Sequence, residues 1–213
     1  MLLKVLDKKS EAKDVFSLIF EKPKSFIFYP GQYLDYELAV NDPNGNTRAF
    51  TISSSPTENF LMLVTKKGFS EFKKALIKFK KGDEIKTSHP AGTFILDEST
   101  PAVFIAGGIG ITPFRSMVKY AADYKLKIPI ILIYSNSDEN FLFKKELAVW
   151  EKNLSNLKII YHSSGKIEPI VQYVNNAIYY LAGPPKMVKN YEKLLLGLGI
   201  DQINIRYDQF DGY

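Results

Sequence analysis

Arginine is scarce in this chain, because only Arg48, Arg115 and Arg206 stand among 28 basic residues and the rest are lysines. Arg48 opens the stretch RAFTISSSP, residues 48–56, which has the pattern of a strand that ends in three serines. A guanidinium is a planar, permanently charged fork that binds a phosphate in fixed geometry. Arg48 is therefore a candidate phosphate ligand, and the alternative is an edge-strand arginine followed by a polar turn.

A glycine-rich turn in the second half of the chain could hold a dinucleotide. It reads GGIGITP, with Gly107, Gly108 and Gly110 followed by Thr112 and Pro113. We expect Thr112 to cap a helix and Pro113 to lie in its first turn, which leaves backbone N–H groups for a pyrophosphate. The spacing is not G-x-G-x-x-G, so the turn alone also fits an ordinary loop.

A second turn, AGPP, places Ala182, Gly183 and Pro184 before another predicted helix. In a doubly wound sheet of strand order 3-2-1-4-5, this turn and GGIGITP follow neighbouring strands, and such sheets bind ligands where the strand order reverses. The two turns should therefore face each other. Together they predict a dinucleotide site.

The residues after the second strand of this sheet should contact the adenosine ribose of a nicotinamide dinucleotide. They include Ser135, Asn136 and Ser137. An acid at the strand end would favour NADH and an arginine would favour NADPH, and neither stands there. The serines could bind either form, with Arg115 and Lys144 as more distant candidates for a 2′-phosphate, so the choice stays open.

The elements that must position these residues change character near Pro101. Before it, short stretches in which polar and apolar residues alternate are separated by turn sequences such as YPGQ and DPNGN. This pattern predicts an antiparallel sheet, and closing it into a small barrel would remove its edges. The predicted strands are LLKVLD, VFSLIFEK, YLDYELAV, RAFTISS, FLMLVTK, EIKTSHP and GTFIL, with one helix at 70–79.

After Pro101, uniformly apolar stretches alternate with amphipathic ones, which predicts a parallel sheet covered by helices. Right-handed crossovers then give a doubly wound domain of five strands. The predicted fold class is an all-β antiparallel barrel, residues 1–98, followed by an α/β doubly wound parallel five-stranded sheet, residues 99–213.

Composition excludes several classes of protein. The chain has no cysteine, so it contains no disulfide, thiolate metal site, iron–sulfur ligand or cysteine nucleophile, and two histidines do not make a metal site. Its net charge of +5 comes from lysines interleaved with acids, which we interpret as solvated faces. Nucleic-acid or membrane contact is the minor alternative. We expect a cytoplasmic protein without signal sequence, membrane span, metal or nucleic-acid partner.

Several motifs, taken in order, resemble the ferredoxin-NADP reductase family, in which a flavin-binding barrel precedes a nicotinamide-binding domain. YPGQYLDYEL is similar to the family's Pro-Gly-Gln-Tyr/Phe strand, and RAFTISSSP to its Arg-x-Tyr-Ser/Thr flavin motif. GFS at 68–70 and HPAGTF match later barrel segments, while GGIGITPFRSM, AGPPKMV and DQFDGY match the second domain. The resemblance spans nearly the whole chain.

The resemblance implies roles for the residues of the flavin motif. Arg48 would bind the flavin phosphate, and Phe50 would lie against the isoalloxazine. Thr51 would place its hydroxyl or backbone N–H near flavin N5, with Ala49 as a further cofactor contact.

The short GFS turn has an implied role as well. Gly68, Phe69 and Ser70 would bind a pyrophosphate through backbone N–H groups at the start of a short helix. A pyrophosphate is present in FAD and absent from FMN, so this role favours FAD.

Three positions bear on flavin retention and on turnover in the implied chemistry. Phe50 replaces the usual tyrosine and loses a hydroxyl that helps to hold the flavin. Ala182 replaces a cysteine that assists hydride transfer beside the nicotinamide, which implies a slower enzyme. Tyr213 either covers the flavin face that the nicotinamide must reach or merely ends an edge strand.

As a whole, the resemblance implies an FAD-dependent NAD(P)H oxidoreductase. It would pass a hydride from NADH or NADPH to FAD and then electrons to a separate acceptor, protein or small molecule. The alternative is a non-catalytic flavin- or nucleotide-binding subunit that relays electrons or senses redox state in a larger complex. We expect a monomer or a weak homo-oligomer.

Overall fold

The computed structural model describes residues 1–163, 174 and 176–210. Its first part is an antiparallel sheet that carries one short helix, α1. The elements are β1 (Leu2–Ala12), β2 (Val15–Glu21), β3 (Tyr33–Glu37), β4 (Thr47–Thr51), β5 (Phe60–Lys66), α1 (Glu71–Leu76) and β6 (Glu84–Thr87). The six strands lie in the order β4-β3-β6-β1-β2-β5.

The second part is a parallel sheet covered by helices. Its elements are β7 (Ala102–Gly107), α2 (Ile111–Tyr124), β8 (Ile130–Ser135), α3 (Lys144–Asn153), β9 (Leu157–His162), β10 (Ile178–Gly183), α4 (Pro185–Gly197) and β11 (Ile205–Gln209). The order β11-β10-β7-β8-β9 is the predicted 3-2-1-4-5 arrangement. Every residue of β7 and β10 is buried, as expected for central strands of a parallel sheet. The helix predicted between β9 and β10 lies mostly outside the described residues.

The antiparallel sheet is confirmed, whereas its closure into a barrel is not seen. Strands β4 and β5 stand at opposite ends of the order and share no ladder within the described residues. A backbone hydrogen bond from Ser53 N to Met62 O, at 2.7 Å, links the segments at this gap. The fold is therefore barrel-like but has an open seam between β4 and β5.

The stretch GTFIL, residues 92–96, is not the strand that its alternation predicts. It is irregular, and the preceding Ala91 makes one isolated bridge to Tyr33. The Phe94 ring instead packs between the domains, with its centroid 5.9 Å from that of Phe114 and 5.6 Å from that of Tyr180. Its apolar residues are thus buried by packing on the parallel domain rather than by strand pairing.

The helix boundaries differ from the predicted ones. Helix α1 is shorter than the expected 70–79, and Ser70 is its N-cap, because the Ser70 side chain accepts a hydrogen bond from Lys73 N. The expectation that Thr112 caps α2 is wrong. A 3₁₀ turn, Gly108–Gly110, continues directly into α2, so Gly110 is the N-cap and Thr112 lies buried inside the first turn.

Strand β5 is buried on both faces and separates two hydrophobic cores. Leu61 and Leu63 point into the core of the antiparallel domain. Met62 and Val64 belong to a cluster that also contains Phe114 and other residues of α2 and β7. The core that contains Met62 and Val64 is therefore shared by the two sheets. The predicted boundary between residues 98 and 99 stays a prediction.

A buried ionic cluster also joins the two sheets. Arg115 of α2 is 3% exposed, and it donates to both carboxylate oxygens of Glu58, at 2.9 and 3.2 Å, and to Ser53 O at 2.9 Å. Its Nε donates to Glu146 of α3 at 2.9 Å. One guanidinium thus binds the segment between β4 and β5 to two helices of the parallel domain. Across the described ranges, no helix is long and apolar enough to cross a membrane.

Candidate functional site

A cavity of about 550 Å³ lies where the two sheets meet. Its walls come from β3, β4, β5, the turn before α1, the first turn of α2 and the end of β11. The lining residues are Tyr33, Asn44, Arg48, Ala49, Phe50, Thr51, Val64, Thr65, Lys66, Gly68, Phe69, Ser70, Lys73, Ile109, Thr112, Asp208, Gln209 and Phe210. This volume is typical of a small-molecule or cofactor site.

The cavity brings together about half of the site residues that the sequence predicts. Those that line it are Arg48, Ala49, Phe50, Thr51, Gly68, Phe69, Ser70 and Thr112. Those that do not line it are Gly107, Gly108, Gly110, Pro113, Ser135, Asn136, Ala182, Gly183 and Pro184. Tyr213 lies outside the described residues. The predicted flavin residues therefore form part of the cavity wall, whereas most of the predicted nicotinamide residues do not line it.

Phe50 and Arg48 stand on the same face of β4, two residues apart, and both contact Phe72 of α1. The Phe50 ring lies 6.2 Å from that of Phe72 and 5.7 Å, edge-on, from that of Tyr36. The Arg48 guanidinium stacks 5.3 Å above the Phe72 ring. Phe72 and Tyr36 are fully buried, so they hold these two side chains at the cavity.

The guanidinium of Arg48 is already engaged by protein groups. It donates to Asp42 Oδ1 at 2.7 Å and to the carbonyl oxygens of Asn44, Gly45 and Thr47 at 2.7–2.9 Å. The Asp42 side chain is fully shielded from solvent. The backbone N–H of Phe72, together with other donors, holds the pKa of Asp42 below its usual range. Arg48 is therefore neutralised in place, although one edge of it reaches the cavity.

The turn before α1 presents an unusual surface to the cavity. Phe69 is 96% exposed, and Ser70 uses its side chain to cap α1. A Cβ on Gly68 would lie 2.6 Å from Lys73 Cδ, so the aliphatic stem of Lys73 passes directly over Gly68. A glycine is needed at this position for the stem to take that path.

The two turns of the parallel domain pack tightly against each other, as expected for neighbouring strands. A Cβ on Gly110 would lie 2.1 Å from Ala182 O and 2.7 Å from Gly183 Cα. Ala182 is fully buried. On the cavity side of this contact, Ile109 and Thr112 are the residues of the first turn that line the wall. The turns therefore support the cavity wall.

The residues predicted to contact the adenosine side of a nicotinamide dinucleotide differ in how accessible they are. Asn136 lies beside Gly108 and donates to Asp138 Oδ1 at 3.0 Å, and Ser135 is 7% exposed. Arg115 is enclosed by Glu58 and Glu146, so its role as a 2′-phosphate partner is wrong. Lys144 is exposed and stays a candidate.

Asp208 is the acidic residue of the cavity wall, and it was not among the predicted site residues. Its neighbour across the β10–β11 ladder is Ala182. Burial raises the pKa of the Asp208 carboxyl to about 6. A signal was present, because Asp208 stands at the carboxyl end of a parallel strand, where doubly wound sheets bind ligands. The cavity residues Tyr33, Asn44, Lys66, Lys73, Gln209 and Phe210 were also missed.

Known proteins share this arrangement. The sequence model of the family "Oxidoreductase NAD-binding domain" matches residues 104–168. Flavohemoprotein A of Dictyostelium discoideum is 25% identical over 97% of this chain and 59% of its own length. The toluate 1,2-dioxygenase electron transfer component of Pseudomonas putida is 27% identical over 94% of this chain and 64% of its own length. A ferredoxin NADP+ reductase from Neisseria gonorrhoeae, solved with bound FAD and NADP, superposes with a TM-score of 0.83 at 19% identity over 98% of both chains.

The chain has the fold of a ferredoxin NADP+ reductase, and its residues 104–168 match an oxidoreductase NAD-binding domain. The solved reductase has the predicted order of an antiparallel domain before a doubly wound one, and it contains FAD and NADP. The family model that matches the second domain of this chain is that of a NAD-binding domain. The chain spans about 60% of the length of the first curated relatives it matches. The complete activity and the acceptor therefore belong to the proposal below.

Asp208 gives this protein a pH-dependent stability that a substitution can test. Its folded-state pKa of about 6 lies above the usual unfolded value near 4, so its ionisation destabilises the fold as pH rises between those two values. We expect Asp208→Asn to raise the free energy of unfolding by about 1–2 kcal/mol at pH 7.5 and to leave it unchanged at pH 4. Urea denaturation at both pH values measures this difference.

The matched control is Asp7→Asn, which removes an exposed carboxylate of β1. It should change stability little at either pH. An Asp208→Asn protein that is equally destabilised at pH 4 and pH 7.5 would contradict the prediction, because a pure packing defect does not depend on ionisation.

Proposed function

We propose that the protein is an FAD-dependent NAD(P)H oxidoreductase that passes a hydride from NADH or NADPH to FAD and electrons to a separate acceptor. The observation that carries this proposal is the shared cavity. It places the flavin-motif residues Arg48 and Phe50 opposite Thr112 of the glycine-rich turn. A flavin and a nicotinamide must meet at one point for hydride transfer, and a cavity lined by the flavin-motif residues and by Thr112 of the predicted nicotinamide turn supports such a meeting point.

The residues present fit a flavin. Phe50 offers an aromatic surface in the wall, and Thr51 is a buried hydroxyl residue at the end of the same strand. On the other side, Ile109 and Phe210 supply apolar surface that keeps water away from the reacting atoms. A bound flavin would supply the redox chemistry, accepting a hydride and releasing electrons singly or in pairs. The protein's part is to bind, orient and exclude water.

Hydride transfer to a flavin needs little help from a protein acid or base, and among the described residues the cavity lining contains one carboxylic acid, Asp208. Asp208 is its carboxylate, and burial raises the pKa of that group to about 6, so it changes charge within the working range of most enzymes. We assign Asp208 an electrostatic role toward the ligand that occupies the cavity. Within the described residues, no group of three or more His, Cys, Asp or Glu side chains could hold a metal ion.

The test is an anaerobic titration of the protein reconstituted with FAD. We expect NADH or NADPH to bleach the visible flavin band in a rapid-kinetics instrument, and the donor that bleaches it faster defines the nicotinamide preference. A protein that takes up neither FAD nor FMN would refute the proposal. The separate acceptor is supported by the relative named as an electron transfer component, and its identity would be sought next.

One observation favours the second candidate, a non-catalytic subunit that relays electrons within a larger complex. Ala182 stands where the family carries a cysteine, and it is fully buried, so this position offers the nicotinamide neither a thiol nor an exposed surface. The same titration separates the two candidates. A flavin that binds normally but stays oxidised under excess NADH and NADPH, until a partner protein is added, would support the subunit instead. A monomer or weak homo-oligomer in the cytoplasm stays our prediction for either.

A further inference from the structure

The segment 136–140, which follows β8, lies beside the glycine-rich turn of the parallel domain. In the β7–β8 ladder Gly107 stands opposite Ser135, and a Cβ on Gly108 would lie 3.9 Å from Asn136 Oδ1. In doubly wound sheets the pyrophosphate of a dinucleotide lies at the turn after the first strand, and residues after the neighbouring second strand contact the adenosine ribose. NADH and NADPH differ only at the 2′ position of that ribose. The segment 136–140 is therefore placed to distinguish the two donors.

Asp138 is held in this segment by hydrogen bonds to one of its two carboxylate oxygens. Its Oδ1 accepts from Asn136 Nδ2 at 3.0 Å and from Asn140 N at 2.8 Å. Asn136 is itself fixed, because its backbone N–H donates to His162 O of β9 at 3.0 Å and its side chain also donates to Asn140 O at 3.1 Å. The other oxygen, Oδ2, accepts no hydrogen bond from the described residues, and Asp138 is exposed. The segment therefore presents a fixed carboxylate with one oxygen available to a ligand.

The three arginines of the chain are not placed to offset this negative charge. Arg115 is enclosed by Glu58 and Glu146. Arg206 lies in β11, with two strands between it and β8, and Arg48 lies in β4 of the antiparallel sheet. An arginine near the end of the second strand is what accommodates a 2′-phosphate in such folds. This chain has an acid there instead.

Lys144, at the start of α3, is the other predicted candidate for a 2′-phosphate ligand. Its ammonium lies 5.5 Å from the ring centroid of Phe141 and 5.3 Å from that of Tyr161, so two aromatic rings hold it by cation–π contact. Glu139 adds a second acid, and the stretch 136–144 thus contains two acids and one lysine. Its charge is negative on balance, which disfavours a further phosphate.

We propose that Asp138 makes NADH the preferred hydride donor of this protein. The inference rests on the proposed function, since it names which nicotinamide dinucleotide that function uses. Asp138 Oδ2 accepts a hydrogen bond from the 2′-hydroxyl of the adenosine ribose in NADH. In NADPH the same position carries a phosphate, which the carboxylate repels. NADPH therefore loses a hydrogen bond and gains a repulsion.

The test compares ADP-ribose with 2′-phospho-ADP-ribose, which differ only by the 2′-phosphate and contain no nicotinamide. Isothermal titration calorimetry of the protein reconstituted with FAD measures both dissociation constants without turnover. We expect the wild type to bind ADP-ribose about ten- to a hundredfold more tightly than 2′-phospho-ADP-ribose. The ratio of kcat/KM for NADH to that for NADPH should favour NADH by a similar factor.

Asp138→Asn is the decisive variant, because it keeps the Oδ1 acceptor for Asn136 and Asn140 and replaces only Oδ2 with an amide nitrogen. We expect it to bind 2′-phospho-ADP-ribose about tenfold more tightly than the wild type does, and ADP-ribose no more tightly. Glu139→Gln is the matched control. It removes the adjacent exposed charge and should change the ratio of the two dissociation constants by less than about threefold. Raising the salt concentration should reduce the discrimination of the wild type more than that of Asp138→Asn.

The outcomes that overturn the inference differ from those that overturn the function. A wild type that binds 2′-phospho-ADP-ribose at least as tightly as ADP-ribose contradicts the inference. So does a Glu139→Gln protein whose ratio shifts as much as that of Asp138→Asn, because the net charge of the segment would then be responsible. A Lys144→Met protein that loses affinity for 2′-phospho-ADP-ribose alone would also overturn it.

In each of these cases the proposed function stands if the protein takes up FAD and NADPH bleaches it. A protein that takes up FAD but binds neither ADP-ribose ligand would lack the nicotinamide site, which removes both proposals.

Discussion

Replacing Arg115 with methionine is expected to lower the free energy of unfolding by about 3–5 kcal/mol, because removing one partner of a buried ion pair leaves the other charge buried and uncompensated. Glu58 would lose both of its hydrogen bonds to the guanidinium, and the carbonyl of Ser53 would lose a donor. The methionine keeps an apolar stem of similar length, but it loses the guanidinium that stacks 5.2 Å from the Phe143 ring centroid and 5.5 Å from that of Trp150. Urea denaturation followed by the fluorescence of the single tryptophan, Trp150, measures the loss.

The control for this prediction is Lys119→Met, on the same helix and one turn further along. Lys119 pairs with Asp123 near the surface, so its removal should change stability by about 1 kcal/mol or less. The double variant Arg115→Met with Glu58→Gln should recover part of the loss, since it removes the uncompensated carboxylate. If Arg115→Met is no less stable than Lys119→Met, the cluster does not hold the two sheets together.

The second large effect is expected at Gly110, where an added methyl group has no space. The Cβ of Gly110→Ala would lie 2.1 Å from the carbonyl oxygen of Ala182, and that oxygen belongs to the backbone of a central strand. Relieving the clash requires the α2 turn and β10 to separate, so we expect a loss of about 3 kcal/mol in unfolding free energy. The displaced turn carries Ile109 and Thr112 into the cavity, so reduction by NADH or NADPH should slow as well.

Gly197→Ala is the appropriate comparison for Gly110→Ala. Gly197 ends α4, and a Cβ there meets no atom within 4 Å. Alanine favours helix over glycine, so this variant should be neutral or slightly more stable. Comparable melting temperatures for the Gly110→Ala and Gly197→Ala proteins would show that the turn and β10 can move apart freely, contrary to our expectation.

The topology could be predicted from the sequence because local patterns determine it. Uniformly apolar stretches such as AVFIAG and IYYLAG are typical of strands in a parallel sheet with helices on both faces, and the structure places them as the central strands β7 and β10. The strand predicted for GTFIL is wrong, although this prediction used the same kind of local apolar pattern. Its apolar residues are buried, but against Phe114 and Tyr180 of the other sheet rather than beside a strand.

The candidate site was predicted less completely, because its decisive contacts are distant in sequence. The two carboxylates that pair with Arg115 are distant in sequence: Glu146 is separated from it by 31 residues and Glu58 by 57. No local spacing reveals this pairing. The sequence also gave no sign that Arg48 would be paired with an acid, even though its partner is close in the chain. Its partner Asp42 is only six residues away, but in the sequence it belongs to the turn DPNGN, where acidic residues are usually solvated.

The double-sided burial of β5 has a consequence for how the polypeptide acquires its structure during synthesis. Residues 1–98 leave the ribosome before α2 and β7 exist, and until then Met62 and Val64 have no apolar partners from the later half. The first half of the chain therefore exposes an apolar face of β5 until β7 and α2 fold against it. Chaperones that bind exposed apolar strands would act in this interval, and the two halves should become resistant to proteolysis together rather than one after the other.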